Sequence, residues 1–188
     1  MYTHCNTEDS IRRQRQIENC MLEMMRRTPY HQITIGDICL KIGLSRKSFY
    51  RYFSNKEGCL HSLLDHCILA SSKASLAEDS VSGETAFSFE RFFSFWKQHA
   101  ILLEAVCQNN LVTTLLSRTI ACIAQHGPEY FHFPTNDQHN DLLERLQFLV
   151  CGTIGLIIHW HIDGYKKTAE EMAATVDRLF GNTPLQTP

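Results

Sequence analysis

Residues 43–53, GLSRKSFYRYF, gather Arg46, Lys47 and Arg51 with Phe49, Tyr50, Tyr52 and Phe53 directly after a glycine. Arginine and lysine can bond guanine O6 and N7, whereas hydroxyls and free helix amides suit phosphate oxygens. Turned at about 100° per residue from Arg46, a helix here carries Tyr50 at about 40°, Lys47 at about 100° and Arg51 at about 140°. Phe49, Phe53 and Tyr52 fall on the opposite arc, so one face is cationic and the other an aromatic anchor. The expected chemistry is recognition of a nucleic acid. Arg46, Lys47 and Ser48 are assigned to base edges, Tyr50 and Arg51 to bases or backbone, and Thr34, Tyr52 and Lys56 to the backbone. Basic residues alone would equally suit a solvated face; their setting separates the two readings.

That setting is a series of short helices with marked starts. TIGD offers Thr34 as N-cap with Asp37 three residues on, and Ser45 caps a helix expected to run to about Tyr52. SNKE offers a capping box of Ser54 and Glu57. Ile38 and Ile42 face a shared core, Cys39 is small where helices approach, and Gly43 permits the turn: the pattern of a helix-turn-helix. Before it, residues 10–27 set Ile17, Cys20, Met21, Met24 and Met25 on one helical face, which Pro29 ends. Arg12, Arg13 and Arg15 sit near that helix's start, against its dipole, as residues serving DNA would. After it, Leu60, Leu63, Leu64, Cys67 and Ile68 form the stripe of a helix over 57–72.

The charge is divided along the chain. Residues 1–60 carry ten Lys/Arg against six Asp/Glu, and the remainder eight against fourteen. A basic front and an acidic back fit a chain that meets a polyanion at one end. Eight cysteines show no C-x-x-C pair and read as reduced thiols. Neither an apolar signal segment nor a membrane-length apolar run occurs, so the expected location is cytoplasmic. No glycine-rich phosphate loop, H-E-x-x-H or nucleophile elbow points to an enzyme.

Residues 74–84, ASLAEDSVSGE, mark a boundary, and the remainder reads as helices separated by breaks at 108–110 and 126–140. Thr168 with Glu171 caps a last helix that Gly181 ends. Phe89, Phe92, Phe93 and Trp96 either line an apolar effector pocket or fill a core. The helix over 141–163 is apolar nearly all round, and Gly152 and Gly155 permit close approach of another helix. With Ile158, Trp160, Val176 and Leu179 they are assigned to a homodimer interface, an intramolecular core being the alternative. His159, His161 and Asp163 lack a further ligand for a metal, so none is expected, and no cofactor is implied.

Residues 12–68, and the run FYRYFSNKEGCL above all, resemble the DNA-binding domain of the TetR family of transcriptional regulators. Residues 148–180 are similar to the last two helices of a TetR subgroup common in Firmicutes. The resemblance implies an all-α homodimer of about nine helices, with a DNA-binding domain at 1–56 and a regulatory and dimerisation domain at 57–188. It also implies base contacts from Arg46 to Ser48, backbone contacts from Thr34, Tyr50, Tyr52 and Lys56, and a small-molecule effector that relieves repression. Gly36 departs from the pattern, having no side chain for the base contact that some members make from their second helix. A helical protein-interaction adaptor without sequence-specific DNA binding is the rival function.

Overall fold

The computed structural model describes residues 2, 7–78, 85–130 and 139–180. Among these are nine α-helices: α1 (Glu8–Met25), α2 (Ile35–Lys41), α3 (Arg46–Phe49), α4 (Lys56–Ser75), α5 (Phe89–Gln98), α6 (Ala100–Gln108), α7 (Val112–Tyr130), α8 (His139–Ile162) and α9 (Ala169–Phe180). The all-α expectation holds, apart from a 3-10 turn at Tyr30–Gln32 and a small antiparallel hairpin of β1 (Leu76–Glu78) and β2 (Thr85–Phe87). That hairpin stands within and beside the stretch expected to be a boundary, of which residues 79–84 lie outside the described residues. Where a loop was expected over 126–140, α7 continues to Tyr130 and α8 begins at His139. Gly181 also lies outside the described residues.

The chain forms two compact units, residues 1–67 with 104–118, and residues 68–103 with 119–188. The first is organised around α1 and α4. Ile17, Cys20, Met21 and Met25 of α1 are buried, as are Ile38, Cys39, Phe49, Phe53, Cys59, Leu60, Leu63 and Leu64. The apolar spacing of α1 therefore marks its buried face. The same unit encloses polar groups: Glu18, 1% exposed, accepts a hydrogen bond from Ser62 at 2.7 Å and pairs with His66 and Arg15. Arg15, expected to serve DNA, is thus turned to a carboxylate of its own helix.

Two further contacts tie residues 104–118 into this unit. Asn109 accepts from the Tyr30 amide at 2.5 Å and donates to the carbonyls of Met25 and Ala105. Arg118 donates through Nε and Nη2 to the two oxygens of Asp65, at 2.7 and 2.5 Å, and Asp65 also accepts from the Tyr2 hydroxyl. Burial, and then the charge of Arg118, hold the His61 imidazole below its ordinary value.

In the second unit α5 packs chiefly on α9 and also on α8. Phe93 meets Trp160 edge-on at 5.6 Å, and Trp160 meets Tyr165 likewise at 4.8 Å while donating to the Lys167 carbonyl. α9 starts with the expected box, in which Thr168 accepts from the Glu171 amide and Glu171 accepts from the Thr168 amide. No helix is long and apolar enough to cross a membrane among the described residues.

Candidate nucleic-acid interface

The helix-turn-helix is held by interactions local in sequence. Thr34 and Asp37 form the expected capping box at α2: the Asp37 amide donates to the Thr34 hydroxyl, and Asp37 accepts from the Thr34 amide and hydroxyl. Those hydrogen bonds, with the hydroxyl contributing most, hold the Asp37 carboxyl below its ordinary value. At the other end of α2, Leu44 donates to Cys39 O at 2.8 Å and Gly43 to Leu40 O at 3.4 Å, with Gly43 at φ +63°. This is a Schellman closure, and its left-handed position strains any residue with a Cβ. Ser45 then caps α3 by accepting from the Ser48 amide at 3.0 Å.

α3 is shorter than expected. It ends at Phe49, and Tyr50–Tyr52 continue as turns in which Arg51 donates to Ser48 O and Tyr52 to Phe49 O. Such i to i+3 bonds tighten the chain beyond α-helical geometry. Phe49 and Phe53 remain the anchor, both fully buried with ring centroids 5.4 Å apart. Arg46, Lys47, Tyr50 and Arg51 are exposed, and Ser48 is half-buried with its hydroxyl against Ser45. Arg46 and Lys47 lie on the helix proper; Arg51 and Tyr52 belong to the tightened turn.

The tightened turn has a consequence for α1. Thr7, Asp9, Ser10, Arg12, Arg13 and Gln16 line one open groove with Arg51 and Tyr52. Arg12 pairs with Asp9, both more than four-fifths exposed, and Arg13 donates to Gln16 at 2.7 Å. Three guanidinium groups from segments almost forty residues apart thus share a surface groove. Only the dipole mismatch of Arg12 and Arg13 pointed to it in the sequence.

Two residues assigned to the DNA backbone are engaged within the head. Lys56 donates to the carbonyls of Tyr30 and Ile33, each at 2.8 Å, and lies over the Tyr30 ring. An ammonium has three hydrogens, so one is left for a phosphate. The Thr34 hydroxyl hydrogen is directed to Asp37, and the Thr34 and Asp37 amides are likewise taken up in the capping box. The cap of α4 is also not the one expected: Asn55, and not Ser54, accepts from the Gly58 amide at 2.7 Å, because the helix starts one residue later than the Ser-x-x-Glu spacing requires.

The residues assigned to an effector divide by burial. Phe93 and Trp96 are buried and Phe89 and Phe92 half-buried; Trp96 Nε1 is enclosed with no hydrogen-bond partner among the described residues. Those assigned to a dimer divide as well. Gly152, Gly155 and Leu179 are exposed and Ile158 is half-buried. Trp160 and Val176, at 2% and 0% exposure, lie inside the protomer, because α5 already covers this side of α8 and α9; they have no surface to offer a second copy. Exposed on α8 among the described residues are Gln147, Phe148, Cys151, Gly152, Gly155, His159 and Ile162, with Phe148 and Ile162 each about 70% accessible. Among the described residues no group of three or more His, Cys, Asp or Glu could hold a metal. His161 instead bonds the Tyr165 hydroxyl, and Asp163 pairs with Lys166. Burial pushes the Cys67 thiol up to about 12, and the Cys59 and Cys107 thiols upward as well.

Residues 22–63 match the family described as "Bacterial regulatory proteins, tetR family". No curated protein matches the chain. Among solved structures it is similar to the dihydroxyacetone kinase operon activator DhaS, with TM-score 0.53 and 15% identity over 88% of this chain and 92% of that one. It is also similar to the fatty acid degradation regulator FadR from Bacillus halodurans, with TM-score 0.52 and 19% identity over 94% and 96%. A tetR-family transcriptional regulator from Streptomyces coelicolor gives TM-score 0.50 and 17% identity over 98% and 94%. These likenesses extend the all-helical fold over nearly the whole chain. The helix-turn-helix segment, residues 22–63, thus carries the sequence pattern of the tetR family of bacterial regulatory proteins, and the solved structures share the fold around it.

Proposed function

We propose that the protein binds a palindromic operator as a homodimer and represses transcription until a small apolar or aromatic effector occupies its C-terminal domain. The observation that carries the DNA reading is the exposed set of Arg46 and Lys47 on α3 and Tyr50 just after it, on a segment whose Phe49 and Phe53 are locked in the core. Each α3 would enter a major groove, with half-sites about 34–36 Å apart. Residues 1–56 carry recognition and 57–188 regulation, with α4 connecting them. Arg46, Lys47 and Ser48 read bases, Tyr50 assists, and Arg51 joins Tyr52, Arg12 and Arg13 along the phosphates. Lys56 acts mainly by holding the turn before α2.

Phe89 and Phe92 offer the accessible edge of the effector site, and Trp96 Nε1 the donor for a ligand acceptor. Of the three regulators named above, one is an activator by its name and two state no sense, so repression rests on the family's commonest mode. The test is selection of bound sequences from a random DNA pool, with affinity for the winner followed against salt. An enriched palindrome with a steep salt slope is expected. Weak, unselective association would favour the adaptor.

The groove gives a separate expectation. Replacing Arg12 and Arg13 together by Ala removes two phosphate contacts from each protomer, four from the dimer, and lowers the salt slope by roughly 3.6, by similar factors on operator and random DNA. An unchanged slope would place the groove off the DNA.

A further inference from the structure

Gly36, the second residue of α2, is bare where the neighbouring helix needs space. A Cβ built on it would lie 2.8 Å from Arg46 Nη2 and 3.6 Å from Arg46 Cζ. The guanidinium of Arg46 therefore rests against the backbone of α2, near enough to Asp37 to contribute, as the smallest influence, to its lowered proton affinity. Arg46 opens α3, so its long side chain lies back across the junction of the two helices. A free arginine surrenders considerable rotamer entropy on ordering, and a seat in the unbound protein reduces that loss on binding.

We infer that Gly36 is a positioning residue for base recognition: its missing side chain lets the Arg46 guanidinium lie along α2 and read the base that a side chain at position 36 would otherwise face. This rests on the DNA reading proposed above. A bidentate approach to guanine O6 and N7 suits a guanidinium held at that edge. The pair acts as a unit, since the bare position serves only to admit the arginine.

Gly36→Ala is a favourable probe because the atom it displaces is the far end of a flexible side chain, and alanine is the better helix former. The variant should fold, and the Arg46 Nε–Hε resonance in a nitrogen-15 spectrum of the free protein should move. Sequence selection with the wild type should enrich guanine at one symmetric position in each half-site. Gly36→Ala should weaken that preference by about 10-fold or more while leaving the other positions unchanged. Arg46→Ala should erase preference at the same position, and the double variant should be no worse than Arg46→Ala. Unchanged preference in Gly36→Ala, additive losses, or effects at different positions for the two residues would overturn the inference. A wild type that enriches no sequence would instead sink the DNA reading, and this assignment with it.

Discussion

Replacing Asp65 by Asn is expected to destabilise the protein by about 3 kcal/mol, the cost of breaking a buried ion pair on one side. Asp65 is 2% exposed and accepts two parallel hydrogen bonds from Arg118 and one from Tyr2. A two-pronged guanidinium–carboxylate pair is both strong and directional. The asparagine keeps the shape but withdraws the negative charge that the two Arg118 hydrogen bonds meet, at a side chain only 28% exposed. The pair spans 53 residues of sequence and joins α7 to α4 within the first unit, so its loss loosens the helix on which the head is assembled. Urea unfolding should show a lower midpoint at similar slope. The double variant Asp65→Leu with Arg118→Met should recover much of the loss, because the damage lies in breaking the pair on one side only. A loss below about 1 kcal/mol for Asp65→Asn would mean that solvent already screens the pair.

Nothing near Asp65 in the sequence announces Arg118, and this marks the boundary of what the sequence discloses. The caps at Thr34, Ser45 and Thr168 and the Gly43 turn were legible because each joins residues within a few positions of one another. The apolar stripes of α1 and α4 were legible for the same reason. The short α3 was not: a fixed 100° step cannot foresee that the chain tightens after Phe49 and carries Arg51 and Tyr52 to the groove of Arg12 and Arg13. Nor could it foresee that Lys56 reaches back to the carbonyls of Tyr30 and Ile33. Trp160 and Val176 show the general difficulty, since apolar periodicity says that a residue is covered but not by which partner. The pairing of α5 with α9 decides that, and it is tertiary.

Gly155 carries the prediction for assembly. It lies inside α8, is exposed, and a Cβ built on it would meet nothing within 4 Å. An exposed glycine within a helix costs about 1 kcal/mol relative to alanine. The described protomer gives no compensating contact, and the homodimer proposed above would supply one through close approach of a second copy's helix. The neighbouring exposed residues, Phe148, Cys151, Gly152 and Ile162, supply an apolar surface around it. Gly155→Leu should therefore leave the protomer folded, with helicity retained, yet sediment as a monomer. Operator affinity should fall at least about 100-fold, because one helix-turn-helix cannot hold two half-sites. Gly155→Ala should separate the effects further, raising protomer stability at dilutions where the dimer dissociates and weakening the dimer where it does not. A Gly155→Leu protein that remains dimeric with full operator affinity would move the interface to another face of the second unit.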